Sequence, residues 1–341
     1  MIDVPVSVLD TALVRVERPA SEALSHALTA ARGAERLGFR RYWVAEHHGS
    51  PAFAAVAPAA LVAWLAAGTE SIRIGSGGVM LPNHHPLIVA EQFASIAALS
   101  RGRADLGLGK GTGAANPAIA ETLRRGGPAP SDQAYADEVR QLLGYFTPGA
   151  SAEAGVTLPE SYPPQAWLLG SGPSSAALAA ELGLPLAVAN HIRPGATESA
   201  LDVYRSQFKP SRWLDQPHAM VSVTVIGAAT GARAEELARP YEVLMAQARA
   251  GQKSALFTVE QAAEYPFTPA ERETVARLSQ GGVQGDAAQV ERGLAELTSR
   301  FHPDELIVNV PIYAIDHRLT ALAAVAGSTL AASADPDPQG H

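Results

Sequence analysis

The sequence predicts a single-domain (β/α)8 TIM barrel, an α/β fold in which eight parallel strands alternate with helices. Three observations predict it. Strand-like and helix-like segments alternate from one end of the chain to the other, most of the strand-like segments are apolar, and the 341 residues suffice for one such barrel. An open, doubly wound sheet is the main competing fold, because alternation alone does not require closure.

Eight short runs, most of them apolar, are predicted as strands. Each is too short for a helix and is bounded by glycine, proline or polar residues. The second run has the sequence YWVA and the fifth AWLLG. The predicted strands are residues 4–9, 42–45, 72–77, 103–108, 166–170, 185–189, 219–226 and 306–310.

The segments between these runs carry apolar residues at helical spacing. In the first of them Ser21 can cap a helix and Gly38 can end it. Leu24, Leu28 and Leu37 recur at helical intervals between these two residues. Helices are predicted over residues 21–37, 57–67, 87–99, 132–146, 173–182, 197–207, 231–248 and 287–299, and from about residue 316.

Two irregular passages depart from the short connections of the other units. Residues 110–131 and 249–272 form extended loops after strands four and seven, and we expect them to act as lids over a site. Residues 1–330 are predicted to form the barrel. Residues 331–341 have the composition of a flexible C-terminal tail.

Composition excludes several classes of function. The net charge of −8 is spread without long runs, so neither nucleic acid nor an anionic membrane is an expected partner. The absence of cysteine removes disulfides, thiolate zinc sites and cysteine nucleophiles. The first ten residues lack the features of a signal peptide, and the longest apolar run, 51–68, is short for a membrane span. We expect a cytoplasmic protein.

Histidines gather at the predicted strand ends. Five of the ten fall just after strands two, three and six, where a barrel places chemistry. Adjacent strand residues point to opposite sides, so at most one of the two histidines after strand two faces a pocket. The preceding Glu46 is equally suited to orient a neighbour or brace the barrel. The five are His47, His48, His84, His85 and His191.

The stretch LGSGPSS after strand five has the features of a phosphate-binding turn. Gly170 and Gly172 allow close backbone approach, and Ser171 and Ser174 place hydroxyls beside a helix N-terminus. An ordinary capped helix start explains the serines equally well. A dinucleotide fingerprint is not matched, because the third glycine and the distal acidic residue are missing. Lys110 after strand four can meet a phosphate as a point charge, although a solvated lysine is the default.

A metal centre is less favoured than an organic cofactor. The strand-end histidines and Glu46 offer zinc or iron ligands, but neither H-x-H nor H-E-x-x-H occurs. Metal sites in barrels also commonly include aspartates. We therefore predict no metal.

The chain resembles the bacterial luciferase-like flavin-dependent monooxygenases over nearly its whole length. The resemblance rests on YWVAEHHG, on IRIGSGGVMLPNHHPLIVAEQFASIAALSRGRADLGLG and on WLLGSGPSSAALAAELGLPLAVAN. It implies a barrel that binds reduced FMN at the carboxyl ends of its strands. It also implies that His47, the first histidine of the E-H-H motif, faces the flavin and is the catalytic residue.

The same resemblance assigns the remaining cofactor residues. It places Ser171 and Ser174 on the phosphate, within the turn that contains Gly170 and Gly172. The family usually has arginine at the position of Lys110, so bidentate phosphate contact is forfeited here.

Two glycine positions complete the comparison with that family. The non-proline cis peptide of the family, under the isoalloxazine ring, matches Gly77-Gly78, for which we predict cis geometry. Gly109 stands where luciferase itself has a cysteine, which argues against light emission but not against oxygenation.

The function implied is that of a two-component monooxygenase. A separate NAD(P)H:flavin reductase supplies FMNH2, O2 adds at flavin C4a, and the (hydro)peroxide inserts one oxygen atom into an organic substrate. Phe53, Asn190 and His191 are predicted to line an apolar substrate pocket, and an aromatic polyketide-type metabolite is the favoured substrate. Family members are commonly dimers, so a homodimer is expected.

Three alternatives stay open at this stage. Some relatives transfer hydride with a deazaflavin, F420, instead of activating oxygen. A non-catalytic flavin-binding protein would bind FMN without turnover. A metal-dependent barrel hydrolase would bind metal and no flavin.

Overall fold

Eight parallel strands close into a barrel in the computed structural model, which describes residues 3–147, 156, 158–159 and 162–327. The ring runs β1-β2-β3-β4-β5-β6-β7-β9, and it closes where Val6 of β1 pairs with Leu306 of β9. The predicted closed barrel is confirmed, and the open sheet is excluded. The strands are β1 (Val6–Asp10), β2 (Arg41–Val44), β3 (Arg73–Met80), β4 (Ala104–Gly109), β5 (Gln165–Gly170), β6 (Leu186–Val188), β7 (Ala219–Gly227), β8 (Gly282–Gly285) and β9 (Glu305–Asn309).

The short strand β8 was not predicted. One edge of β7 pairs with β9, for example Thr224 with Asn309. The other edge pairs with β6 near the start of β7 and with β8 near its end, where Thr224 pairs with Gly282. Its sequence, GVQG, has one apolar residue between polar and glycine positions. Propensity therefore gives no signal for it, and only its pairing with β7 makes it a strand.

Helices surround the barrel, and three of those described lie wholly or partly in passages predicted to be irregular. Residues 117–123 are one, and residues 259–263 and 269–279 are the others. The last of these has no buried residue, so it lacks the apolar stripe by which helices are found. The helices are α1 (Ala20–Arg36), α2 (Pro58–Ala67), α3 (Pro86–Leu99), α4 (Pro117–Leu123), α5 (Asp132–Tyr145), α6 (Pro173–Leu182), α7 (Thr197–Gln207), α8 (Gly231–Arg249), α9 (Val259–Ala263), α10 (Pro269–Ser279), α11 (Ala287–Phe301) and α12 (Ile315–Val325).

Alternate residues of each strand divide the core into two layers. In β2, Tyr42 and Val44 face the surrounding helices, whereas Trp43 faces the barrel interior. The outer layer is rich in alanine, which lets helices such as α1 pack closely on the strands. The inner layer consists of Leu9, Trp43, Ala45, Trp167, Ala187, Met220 and Ile307.

A buried ionic cluster fills the amino-terminal end of the barrel. The Arg41 guanidinium donates to Asp105 Oδ2 at 2.9 Å and to Glu305 Oε1 at 3.0 Å, and all three side chains are excluded from solvent. Asp105 also accepts from Trp43 Nε1 at 2.9 Å and from Arg73 Nη2 at 2.6 Å. The cluster therefore fixes Trp43, which forms part of the floor of the site described below.

None of the helices within the described ranges combines the length and apolar character that a bilayer crossing requires. The predicted tail, 331–341, lies outside the described residues.

Replacing Arg41 by methionine should lower the free energy of unfolding by about 3–5 kcal/mol, because Asp105 and Glu305 then lose the buried cation between them and keep only the part-exposed Arg73 and Arg40. Urea denaturation followed by circular dichroism measures the change. Arg140→Met is the matched control, since its partner Glu181, 2.7 Å from Nη2, lies at the surface. We expect a loss below about 1 kcal/mol there. Equal losses in the two variants would contradict the assignment.

Candidate active site

A cavity of about 630 Å³ opens at the carboxyl ends of the strands. Its walls are mainly apolar, with a few polar groups from the strand ends, as in sites for organic cofactors and substrates. Trp43, Leu9 and Ile307 form its floor, and α8 and α10 contribute its outer wall. The volume lies within the range of pockets that take a drug-sized organic ligand.

His47 enters the cavity because it keeps the inward alternation of β2. Trp43, Ala45 and His47 all line the cavity, whereas His48 does not. The His47 backbone N–H donates to Ala55 O at 2.9 Å, and its ring stacks on Phe53 with centroids 4.4 Å apart. The prediction that only one of the adjacent histidines faces the pocket is confirmed, and Phe53 lines the same wall.

The ring of His47 is neutral at physiological pH. Burial lowers its pKa to about 4, positive charge on His48 acts in the same direction, and Glu46 opposes both. Its Nδ1 is buried without a hydrogen-bond partner among the described residues. The ring thus offers an unused polar atom in the site.

Glu46 borders the cavity, and its carboxylate is bound by groups from the end of β3 and from the loops after β2 and β3. Its Oε1 lies 2.8 Å from both His48 Nε2 and His84 Nε2 and accepts from Asn83 Nδ2 at 3.1 Å. Its Oε2 accepts from the Met80 backbone N–H at 2.8 Å. Since an ionised carboxylate only accepts, both histidines carry a proton on Nε2.

These contacts connect the loops that follow β2, β3 and β4. Asn83 also donates to Thr112 O at 3.0 Å, and the His48 N–H donates to Gly113 O at 2.8 Å. Burial favours the neutral form of Glu46, but hydrogen bonds from His84 and His48 outweigh it and lower the pKa. Glu46 is therefore the brace that holds the E-H-H motif in place.

The peptide bond between Gly77 and Gly78 is cis, as predicted. Gly77 lines the cavity, and a Cβ there would lie 2.7 Å from Leu9 Cδ1. Gly78 lies behind it, where a Cβ would come within 2.8 Å of Gly107 O. A side chain is thus excluded at Gly78, where it would meet backbone, and at Gly77 it would displace the Leu9 side chain. The cavity is bounded by bare backbone at Gly77.

The turn after β5 brings Gly170, Ser171 and Ser175 to the cavity, while Ser174 is exposed outside it. Gly170 makes this possible, because a Cβ on it would lie 2.4 Å from Ser175 Oγ. Gly172, the residue before α6, has no side chain that could accept a hydrogen bond from the first backbone N–H groups of α6. These N–H groups therefore need partners from outside the helix. The predicted hydroxyl at 174 is replaced in the cavity by the hydroxyl at 175.

Two cations border this turn. Lys110 lines the cavity and forms an ion pair with Asp132 of α5. The Arg193 guanidinium lies beside Gly172, with Nη1 3.7 Å from the position that a Cβ would take there. Sequence reasoning missed Arg193. It follows β6 rather than β5 in the chain, and only the parallel pairing of these two strands brings it to the start of α6.

Of the two residues predicted after β6, only His191 reaches the cavity. Asn190 is buried behind it, accepts from Thr197 Oγ1 at 2.8 Å and donates to Gly281 O at 3.3 Å. Asn190 therefore supports the β6 loop and does not line the pocket. His191 Nδ1 lies 2.5 Å from Ser222 Oγ of β7.

The outer wall was missed by sequence reasoning. One stripe of α8 at helical spacing faces the cavity, together with Ser222 and Thr224 of β7. The spacing is visible in the sequence, but which face of α8 turns inward depends on the barrel. The residues of the stripe are Ala238, Tyr241, Glu242, Met245 and Arg249.

Comparison with known proteins agrees with this geometry. Residues 4–301 match the sequence model of the luciferase-like monooxygenase family. A luciferase-like monooxygenase of Escherichia coli (strain K12) is 38% identical over 315 residues, 92% of each chain. The chain belongs to the luciferase-like monooxygenase family. It is accordingly a flavin-dependent monooxygenase, an oxidoreductase.

Solved structures share the barrel. The crystal structure of apo-MsnO8 superposes with a TM-score of 0.86 at 33% identity, covering 95% of this chain and 98% of that one. At 16% identity two others share the fold alone. The oxygenating constituent of 3,6-diketocamphane monooxygenase from Pseudomonas putida, in complex with FMN, has a TM-score of 0.67, covering 95% of this chain and 97% of that one. The F420-dependent tetrahydromethanopterin reductase of Methanopyrus kandleri has a TM-score of 0.65, with 95% and 98% covered.

Replacing Glu46 by glutamine should lower the free energy of unfolding by about 1–3 kcal/mol at pH 7, because an amide NH2 then faces donors. Since the pKa of Glu46 is lowered in the folded protein, this stabilisation is full above the unfolded-state value near 4.5. It is lost as the pH falls through the folded-state value. Urea denaturation at pH 7 and at lower pH gives both quantities.

The control for this prediction is Glu70→Gln, at an exposed position in the loop between α2 and β3. We expect it to change the free energy of unfolding by less than about 0.5 kcal/mol at either pH. A difference between wild type and Glu46→Gln that stays constant as the pH falls would show that the charge of Glu46 is not what braces the loops.

Proposed function

We propose that this protein is the oxygenating component of a two-component system and uses FMNH2 as its cofactor. One observation carries the proposal. A single cavity is lined by His47, by the bare backbone at Gly77 and by the hydroxyls of Ser171 and Ser175. The backbone at Gly77 offers a flat surface for the isoalloxazine ring, and the serine turn suits the phosphate. His47 supplies a group that can exchange protons at the reacting part of the flavin.

The phosphate end of the cofactor is assigned to the start of α6. Uncapped N–H groups and the helix dipole favour an anion there, and Ser171 and Ser175 add two hydroxyl donors. Lys110 supplies positive charge in the cavity lining, and Arg193 supplies it beside Gly172. We assign Ser175 rather than Ser174 to the phosphate, because Ser174 points away from the cavity.

Reduced FMN, when bound, supplies the two electrons with which O2 places one oxygen atom in the substrate and the other in water. The chain's own contribution is to position substrate, exclude water and handle protons. His47 is the catalytic residue in this proposal: its neutral ring accepts a proton at one nitrogen and gives one from the other without creating a buried charge. Phe53 holds the ring in place by stacking.

The substrate is proposed to be a largely apolar organic molecule, with an aromatic polyketide-type metabolite as the favoured class. The cavity wall is mainly apolar, and the α8 stripe places Tyr241 and Met245 across from the strand ends. Phe53 and His191 contribute the substrate side of the wall.

The partners proposed are O2, the substrate and a separate NAD(P)H:flavin reductase. Because reduced flavin and NAD(P)H are cytoplasmic reagents, we place the reaction in the cytoplasm.

A homodimer through α2 and α3 is proposed from apolar side chains exposed on their outer faces, Trp64 at 42% and Ile88 at 48%. Sedimentation velocity would show a monomer if this assignment is wrong.

Wild-type protein should bind FMN, and Ser171→Ala and Ser175→Ala should each weaken binding roughly ten- to hundredfold, the cost of one hydrogen bond to a charged group. Titration with oxidised FMN, followed by flavin fluorescence, measures the affinities. Ser174→Ala, one residue away, is the matched control and should bind as wild type does.

The same titration with the deazaflavin F420 separates the two cofactor chemistries. Binding of F420 with no binding of FMN would contradict the proposal and favour hydride transfer. A loss of affinity in Ser174→Ala and none in Ser175→Ala would contradict the assignment of the phosphate site while leaving the cofactor itself in place.

A further inference from the structure

We propose that Ser222 fixes His191 as a permanent Nε2–H hydrogen-bond donor in the cavity, which selects ligands with an acceptor oxygen. The inference concerns the β7 residue that lies behind His191, a residue that the cofactor and oxygen chemistry do not by themselves require. The use of this donor rests on the proposed function. The tautomer itself does not.

Ser222 owes its position to the inward alternation of β7. Ser222, Thr224 and Ile226 line the cavity, whereas Val221, Val223 and Val225 pack in the outer layer. Ser222 is only 4% exposed, so its hydroxyl has to find its partners within the protein or the cavity.

The hydrogen bonds of Ser222 determine the tautomer. The His191 backbone N–H donates to Ser222 Oγ at 3.3 Å, and His191 Nδ1 lies 2.5 Å from the same oxygen. If Nδ1 carried the proton, Oγ would accept twice and the buried hydroxyl proton would have no partner among the described residues. If the hydroxyl donates to Nδ1, both buried groups are paired, and the ring N–H is left at Nε2, on a residue that lines the cavity. This arrangement is favoured, because leaving a buried donor unpaired is costly. The proton of the neutral ring is then on Nε2.

The Nε2–H group is available to a ligand. His191 lines the cavity, and Nε2 makes no hydrogen bond to any described residue. The ring is neutral because burial lowers the pKa of His191 to about 4, and a proton on His47 would lower it further. A neutral donor attracts a carbonyl or similar oxygen without requiring a negative charge on the ligand.

His47 differs from His191 in a way that gives the pair distinct roles. Neither ring nitrogen of His47 is bonded to a described residue, so nothing in the protein imposes its tautomer. His47 is free to exchange a proton, while His191 holds an oxygen atom at a fixed donor. Ser222 acts through His191 and is a positioning residue. A ligand without an acceptor oxygen leaves Nε2–H unpaired and is rejected.

The tautomer can be read directly by multiple-bond 1H–15N correlation spectra of protein labelled with 15N-histidine. We expect the Nε2–H pattern for His191 in wild type, its retention in Ser222→Thr, and a mixture of tautomers in Ser222→Ala. His84, whose Nε2 donates to Glu46, is an internal control that should not change. An Nδ1–H pattern in wild type, or an unaltered His191 pattern in Ser222→Ala, would overturn the proposal.

Ligand spectra locate the acceptor. A change in the His191 Nε2 resonance on adding FMN alone assigns the oxygen to the flavin. A change only when acetophenone is added to FMN-bound protein, but not with ethylbenzene, assigns it to the substrate. No change with any of them overturns the donor role. Flavin absorbance in the same samples reports FMN binding, so its failure would contradict the proposed function and leave the tautomer result standing.

Discussion

The Glu46 carboxylate is the constraint on which the site depends. It is fully buried, yet it stays ionised because four donors, from the end of β3 and the loops after β2 and β3, converge on it. In a barrel each strand end carries its own loop, and a common arrangement of the loops after β2 and β3 needs a physical reason. One buried charge that needs all of its partners provides that reason, because a lost donor leaves part of the charge unsatisfied.

Polarity changes along the barrel axis in a way that explains why His47 is neutral. The amino-terminal end holds the paired charges of Arg41, Asp105 and Glu305, which satisfy one another. Above them the two tryptophans, Trp43 and Trp167, pack edge to face with centroids 5.3 Å apart and separate this cluster from the cavity. The cavity itself is mainly apolar, so imidazoles that enter it lose their charge instead of gaining partners.

Much of the fold was predictable, because it is encoded locally. Eight apolar runs separated by helical periodicity predict the barrel strands, and alternation along β2 predicts that at most one of His47 and His48 faces the pocket. The family resemblance is what points to His47. The features that failed depend on tertiary context. The four residues of β8 are a strand only because β7 continues past β6, and α10 has no buried face to reveal it.

The site residues show the same difference between features that are encoded locally and features that depend on tertiary context. His47, Phe53, Gly77, Lys110, Ser171 and His191 lie in the cavity, as the strand-end positions and the family resemblance together indicated. Ser174 and Asn190 do not, because one residue of helical rotation or one step along the chain decides which neighbour points inward. Arg193 and the α8 stripe reach the site through strand pairing and helix packing, which no spacing along the chain reports.

The central claim is that the cavity controls the reaction of reduced FMN with oxygen. The most direct measurement mixes anaerobic protein, carrying reduced FMN, rapidly with oxygenated buffer and follows flavin absorbance and hydrogen peroxide. We predict that bound flavin returns to the oxidised state more slowly than free reduced FMN, and that His47→Ala shortens the delay while Ser174→Ala does not. A time course identical to that of free reduced FMN at the same oxygen concentration would contradict this account.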